Sequence, residues 1–354
     1  MNEDENYIEI KKSLDAHFPN IIVNIIIGFY CFEGKMIFSV NKHKDYVVFL
    51  NYLRLPHYGS IKFIECDSFS HDFRLWNLYL DTKSMNEEKK FNTPRIPTIL
   101  CYALLKEPNN DEHFHDEKSC NCRIVCGFTD FTIGVLNLQK ERFDTIFIGH
   151  NDRIKCIDVL PDKRIVSSAN KTLKIWNLET NKCDITIEKT MFSFQSYYHA
   201  EEITCVTYIQ INNSINDYRV ISGSEDKTLR IWNPHTGTCQ CVLKGHTAPI
   251  NCVVVTPNRV IVSGSSDHTL RLWNQYGNCD YILNNDRNIS CMNIFSDEYV
   301  ISGSKGEIRI WNVVTGKCER ILKNICFNSG IKQIEVLSDG RLIVFSSDYI
   351  SGLR

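Results

Sequence analysis

A chain of 354 residues with 43% apolar and 23% charged side chains has the make-up of a globular protein, with room for two ordinary domains or one large all-β domain. Its formal net charge of −2 supplies no general field for nucleic acid, an anionic membrane or an acidic substrate. The acidic start Met1-Asn-Glu-Asp-Glu-Asn6 lacks the basic region of a secretory signal, and the apolar stretch from Ile21 to Phe32, interrupted by Asn24, is too short to span a bilayer. The expectation is an intracellular protein, cytoplasmic or nuclear, with no membrane segment.

In chain order, residues 1–19 read as a lead segment. Strand-like runs follow at Ile25-Ile-Ile-Gly-Phe29-Tyr and Met36-Ile-Phe-Ser-Val, with Glu33-Gly-Lys as a turn signal between them. Phe73-Arg-Leu-Trp76-Asn is the next clear run. The stretch His113-Phe-His115-Asp-Glu-Lys-Ser-Cys120-Asn-Cys122 collects two His and two Cys, but one residue separates each pair where structural zinc sites usually leave at least two. It is read as a solvated loop, and no metal or other cofactor is assigned.

From Val125 onward one unit recurs. Val125-Cys-Gly-Phe-Thr-Asp-Phe-Thr-Ile-Gly-Val-Leu136-Asn and Val166-Ser-Ser-Ala-Asn-Lys-Thr-Leu-Lys-Ile-Trp176-Asn are two of its copies, and the run ending at Trp76-Asn is a weaker one upstream. Ile221-Ser-Gly-Ser-Glu-Asp-Lys-Thr-Leu-Arg-Ile-Trp232-Asn aligns without gaps to Val262-Ser-Gly-Ser-Ser-Asp-His-Thr-Leu-Arg-Leu-Trp273-Asn, and Ile301-Ser-Gly-Ser-Lys-Gly-Glu-Ile-Arg-Ile-Trp311-Asn has a shorter turn. Each unit holds about four β-rich runs; around Trp273 they are 250–255, 259–264, 269–273 and 279–283. The last runs, 331–337 and 341–345, carry no Trp. Single sheets of this kind bury both faces only by stacking on their neighbours.

Nine of the sixteen cysteines follow the repeat. Cys101, Cys156, Cys205, Cys252 and Cys291 each come two residues after an Ile that opens a strand. Cys183, Cys239, Cys279 and Cys318 each open another strand. These nine are expected to be small packing residues in a reducing compartment, not disulfide partners.

Gly149-His150, Gly245-His246, the Ser-Gly-Ser-x-Asp turns and the Trp-Asn strand ends resemble the signature of the WD40 family, with Asn for its Asp in every Trp dipeptide. The resemblance is specific from about residue 145 to 320. It implies an all-β, seven-bladed propeller of four-stranded antiparallel blades over residues 20–354, with the closing blade shared by N- and C-terminal strands. Six or eight blades are the alternatives. It also implies a hydrogen-bonded set within a blade: His199, Ser222, Asp226 and Trp232 in one, His246, Ser263, Asp267 and Trp273 in another. The competing reading, a Ser-His-Asp catalytic triad, is set aside because the set repeats. Asn170, Asn285 and Cys126 depart from the pattern. Arg230, Arg271 and Arg309, two residues before each Trp, are expected on a solvated strand face.

The resulting expectation is a non-catalytic scaffold or adaptor for other proteins or peptides, with no nucleic-acid partner and no membrane. The alternative is a substrate-receptor subunit of a ubiquitin ligase, although no strand ends in the Trp-Asp-x-Arg of one ligase-docking group in the family. A candidate partner-binding loop lies in the long interval from Trp176 to Trp232. There Met191, Phe192, Phe194, Tyr197 and Tyr198 precede His199. Either these aromatics bind a partner or they fold back as core.

Overall fold

The computed structural model describes residues 25–26, 47–53, 60–67, 73–79, 84–91, 97, 99–105, 123–137, 140, 142–189, 197–212, 214–323, 330–336 and 342–346, with backbone alone before residue 97 and at 335 and 343–346. The described elements are all strands, and they form seven sheets. Six of these have four strands paired in sequence order. The chain divides into two compact units, 43–250 and 1–42 together with 251–354.

The 43–250 unit holds four sheets. The 47–91 sheet runs through Val47–Leu53, Ser60–Asp67, Phe73–Tyr79 and Ser84–Phe91. The 99–147 sheet is Ile99–Leu105, Arg123–Phe128, Ile133–Asn137 and Arg142–Phe147. The 154–187 sheet is Ile154–Val159, Ile165–Ala169, Thr172–Asn177 and Lys182–Ile187. The 203–243 sheet is Ile203–Gln210, Tyr218–Ser224, Leu229–Trp232 and Cys239–Leu243.

The sheets of the other unit follow the same plan until the last. The 250–284 sheet is Ile250–Val255, Ile261–Ser265, Thr269–Trp273 and Cys279–Asn284, and the 291–323 sheet is Cys291–Ile294, Tyr299–Ser304, Glu307–Asn312 and Lys317–Lys323. The seventh sheet has three strands in the order Ile25–Ile26, Leu342–Ser346, Ile331–Val336. Here Ile25 and Ile26 pair parallel to Leu342 and Ile343, a departure from the all-antiparallel plan. A strand that arrives from the far end of the chain is free of the tight hairpin that forces antiparallel pairing. Phe29, the run at 36–40 and the lead segment lie outside the described residues.

Local chemistry explains the repeat. The turn between second and third strands uses a left-handed residue each time: Phe131 (φ 73), Asn170 (φ 51), Lys227 (φ 69), His268 (φ 68) and Gly306 (φ 76). The third strand shifts register at the residue that the sequence marks as the anchor, between Val135 and Leu136, Ile175 and Trp176, Ile231 and Trp232, Leu272 and Trp273, and Ile310 and Trp311. That bulge sets Cys183, Cys239, Cys279 and Cys318 opposite the four Trp residues.

Neighbouring sheets within a unit share their cores. Val125, Ile133 and Phe147 of one sheet pack with Ile154, Ile157 and Trp176 of the next, and Leu173 and Ile175 pack with Tyr218 and Trp232 of the one after. The other cysteine series sits at these seams. A Cβ on Gly127 would stand 2.7 Å from Cys101 Sγ and 2.5 Å from Ile154 Cγ2, and one on Gly223 would stand 2.6 Å from Cys205 Sγ and 2.9 Å from Ile250 Cγ2. The bare backbone is thus a notch for the next sheet's first Ile. Burial pushes the Cys101 and Cys205 thiols up to about 12, so they are packing groups, not nucleophiles.

Candidate interaction surface

The polar set of the 203–243 sheet is assembled by four segments. Trp232 Nε1 donates to Ser222 Oγ at 2.8 Å, Ser222 Oγ meets His199 Nε2 at 2.7 Å, and His199 Nδ1 meets Asp226 Oδ2 at 2.8 Å. Burial, its largest cause, pushes the His199 pKa down, so the neutral ring donates from Nδ1 and accepts at Nε2. Burial alone would raise Asp226, but His199, Thr228 and the Ala200 N–H hold its carboxyl well below the usual range. One proton per link runs from indole to carboxylate. The His199 side chain is fully enclosed, and Asp226 is 7% exposed.

The other sheets keep the Trp–Ser link and lose other parts. Trp176 donates to Ser167 at 2.8 Å, Trp273 to Ser263 at 2.9 Å and Trp311 to Ser302 at 2.8 Å. Asp267 accepts from both the backbone N and Oγ1 of Thr269; His246, which belongs to the other unit, is itself buried. His150 Nε2 meets Ser167 Oγ at 2.7 Å, yet its buried Nδ1 has no partner among the described residues. The turn there is one residue shorter, which moves the left-handed conformation onto Asn170 and leaves no carboxylate for the ring. Burial, with Lys174 adding to it, lowers His150 to about 4. In the 291–323 sheet the buried Asn285 bonds Arg287 O and Ser304 Oγ through Nδ2.

The arginines before each Trp correct an expectation. Arg230 and Arg309 are buried and Arg271 is half-buried, where a solvated face was expected. The guanidinium lies over the indole two residues on, with Arg271 and Arg309 each 5.9 Å from the Trp ring. Arg309 is further held by Glu307 at 3.0 Å and by Asp286.

The loop before His199 is described from Tyr197; Met191, Phe192 and Phe194 lie outside the described residues, as does the 113–122 stretch. Tyr197 is 54% exposed. Tyr198 is half-buried, with its ring 6.5 Å from Trp232 and packed on the core. The base of the loop is strapped down. Lys171 donates to Ala200 O and pairs with Glu201 at 3.2 Å, Lys155 pairs with Glu202 at 3.2 Å, and Ile203 N bonds Asn170 O.

Sequence reasoning gave no hint of a clasp between the 154–187 and 203–243 sheets. Arg164 bonds Asp162, Tyr218 Oη, Pro234 O and His235 Nδ1, and Tyr218 Oη donates to Asp162 at 2.7 Å. Among the described residues no His, Cys, Asp and Glu cluster is placed to hold a metal ion, and no helix is long and apolar enough to cross a membrane.

The pattern of the family described as WD domain, G-beta repeat (WD40) matches residues 142–177, 191–233 and 237–274. These segments are WD40 repeats. Mitogen-activated protein kinase kinase kinase A of Dictyostelium discoideum is 31% identical over 54% of this chain and 22% of its own length. Nuclear distribution protein nudF of Emericella nidulans is 32% identical over 41% of this chain and 34% of its own length. Autophagy-related protein 16 of Arabidopsis thaliana is 26% identical over 59% and 40%. The chain thus spans well under half the length of these relatives. Each WD40 repeat includes a Trp-Asn strand end, at Trp176, Trp232 and Trp273, and the Ser partner of each Trp.

Proposed function

We propose that the chain is a non-catalytic, seven-bladed WD40 propeller that holds other proteins or peptides. The observation that carries this reading is the recurrence of the Trp-to-Ser bond at 2.8–2.9 Å in four sheets. A catalytic serine is needed once; a serine bonded to the same indole in every copy serves the fold, and function is left to the surfaces. The seven sheets and the pairing of Ile25–Ile26 with Leu342–Ile343 support closure by strands from both chain ends.

The loop that ends at Tyr197 is the leading binding surface. Its base is strapped at residues 200–203, beside the exposed Tyr197, so that ring has little ordering left to do on binding. Tyr198 belongs to the packing beneath it. The test is Phe192→Ala with Tyr197→Ala in a tagged chain. Partner capture should fall while the melting temperature stays within a degree or two of wild type (roughly ±0.5 kcal/mol). A large fall in melting temperature would mean that the loop is core. In parallel, Ser222→Ala should lower stability and leave capture by the folded fraction intact.

A further inference from the structure

Repetition gives every surface position its own controls, and one sheet departs from them three times at one end. The residue after the first Ile of a sheet is Lys155, Thr204, Asn251 or Ser290, but Leu100 in the 99–147 sheet. The left-handed turn residue is Asn170, Lys227, His268 or Gly306 elsewhere, but Phe131 here. The residue after the last buried apolar of the fourth strand is Glu188, Lys244, Asn284 or Lys323 elsewhere, but Ile148 here. The register puts all three at the same end of the sheet, since Ile99 pairs with Phe128, Gly127 with Ile133 and Ile133 with Phe147. Four strands span about 14 Å, so the three form one short stripe.

The fold leaves much of these three side chains uncovered. Leu100, Phe131 and Ile148 are 38%, 42% and 78% exposed. At the Leu100 position three of the other four residues donate to a backbone carbonyl further along the chain: Thr204 Oγ1 to Ile250 O at 2.5 Å, Asn251 Nδ2 to Ile289 O at 2.7 Å, and Ser290 Oγ to Ile331 O. Leucine has no donor for such a bond, and the weak Cys101 Sγ contact reaches Ile154 O at 3.7 Å. Apolar residues that are exposed, clustered and costly to the fold mark a contact surface.

Charge narrows the occupant. Asp130 adjoins Phe131, is exposed, and among the described residues bonds only Thr132. Asp152 lies four residues beyond Ile148, with Arg153 as the single cation in that loop. Two cations of the adjoining sheet, Lys155 and Lys171, are already engaged by Glu202 and Glu201. We propose that this end of the 99–147 sheet is a second docking site, for an extended segment of another protein that carries large apolar side chains beside a Lys or Arg. The proposal rests on the scaffold reading but uses a different sheet from the Tyr197 loop.

The test variant is Phe131→Lys with Ile148→Lys, which installs the residues that the 203–243 sheet carries at these positions as Lys227 and Lys244. The full chain and the variant are each used to select from a displayed library of random peptides, with melting temperature and sedimentation measured alongside. The expected result is a class of peptides, rich in large apolar residues with Lys or Arg, whose affinity falls roughly tenfold or more in the variant at unchanged melting temperature. Binders that all survive the double substitution, or a lost class that is acidic, overturn the proposal and leave the scaffold reading standing. A wild-type dimer that the variant breaks overturns it in favour of a second copy as occupant. A lower melting temperature overturns it in favour of cover by the chain itself. No binder to any surface of the wild-type chain counts against the scaffold reading as well.

Discussion

At His199 both ring nitrogens are used and enclosed, while at His150 one of two is left without a partner. His199→Ala strands Ser222 and Asp226 in a buried site and is expected to cost roughly 1–3 kcal/mol. His150→Ala removes its own unpartnered Nδ1 along with one bond, so it should cost less. Urea unfolding with unchanged m values measures both; equal losses would show that the carboxylate adds nothing. Asp158 supplies a pH test. Its carboxylate accepts from Val159 N at 2.8 Å, yet burial raises it to about 7 against an ordinary 3.8. The fold therefore prefers the neutral acid. The penalty for charge is absent below the ordinary value, grows as pH rises towards about 7, and is complete above it. Asp158→Asn should match wild type near about pH 4 and exceed it near about pH 8. Parallel pH–stability curves would show that this carboxyl is solvated.

At the scale of elements, the strand borders follow from turn chemistry and the alternation of buried and exposed residues, which is why the repeated units around Trp232, Trp273 and Trp311 were legible one by one. The notch glycines were legible as a repeated residue but not as a contact, because the atoms that fill them come from the next sheet. Gly223→Ala drives a methyl to within 2.6 Å of Cys205 Sγ and 2.9 Å of Ile250 Cγ2, both buried in the seam. A cost of roughly 1–3 kcal/mol is expected, and Cys205→Ala should rescue part of it. Thermal melts of the single and double variants test this; additive losses would mean that the Cys–Gly contact is not what limits the space.

At the scale of the whole molecule, the proposed closure by both chain ends makes a prediction about the N-terminal region. Ile25 and Ile26 cover the edge of Leu342–Ser346, the middle strand of a three-stranded sheet. Deleting residues 1–40 bares that edge and should give oligomers or insoluble protein, seen by size exclusion with light scattering. A monodisperse, folded product would show that this pairing is dispensable. The scaffold reading belongs to this scale too, since WD40 sheets that spend their polar residues on one another leave partners to be held by loops and sheet ends.

Local sequence marked the repeated units around Trp176, Trp232, Trp273 and Trp311 and the two cysteine series, because turns, registers and bulges act over a few residues and recur; the strands at 47–53, 60–67 and 84–91 carry no copy of that signature. Tertiary structure decided what each side chain meets. Arg230 and Arg309 looked solvated and are buried, Arg309 with its guanidinium over the Trp311 ring and held by Glu307. Tyr197 and Tyr198 are neighbours of similar chemistry, and the seam beside Trp232 alone separates one as exposed from the other as packed. His150 lost its carboxylate to a one-residue difference in turn length. Burial is a property of what arrives from the adjoining sheet, and no local pattern along the chain contains it.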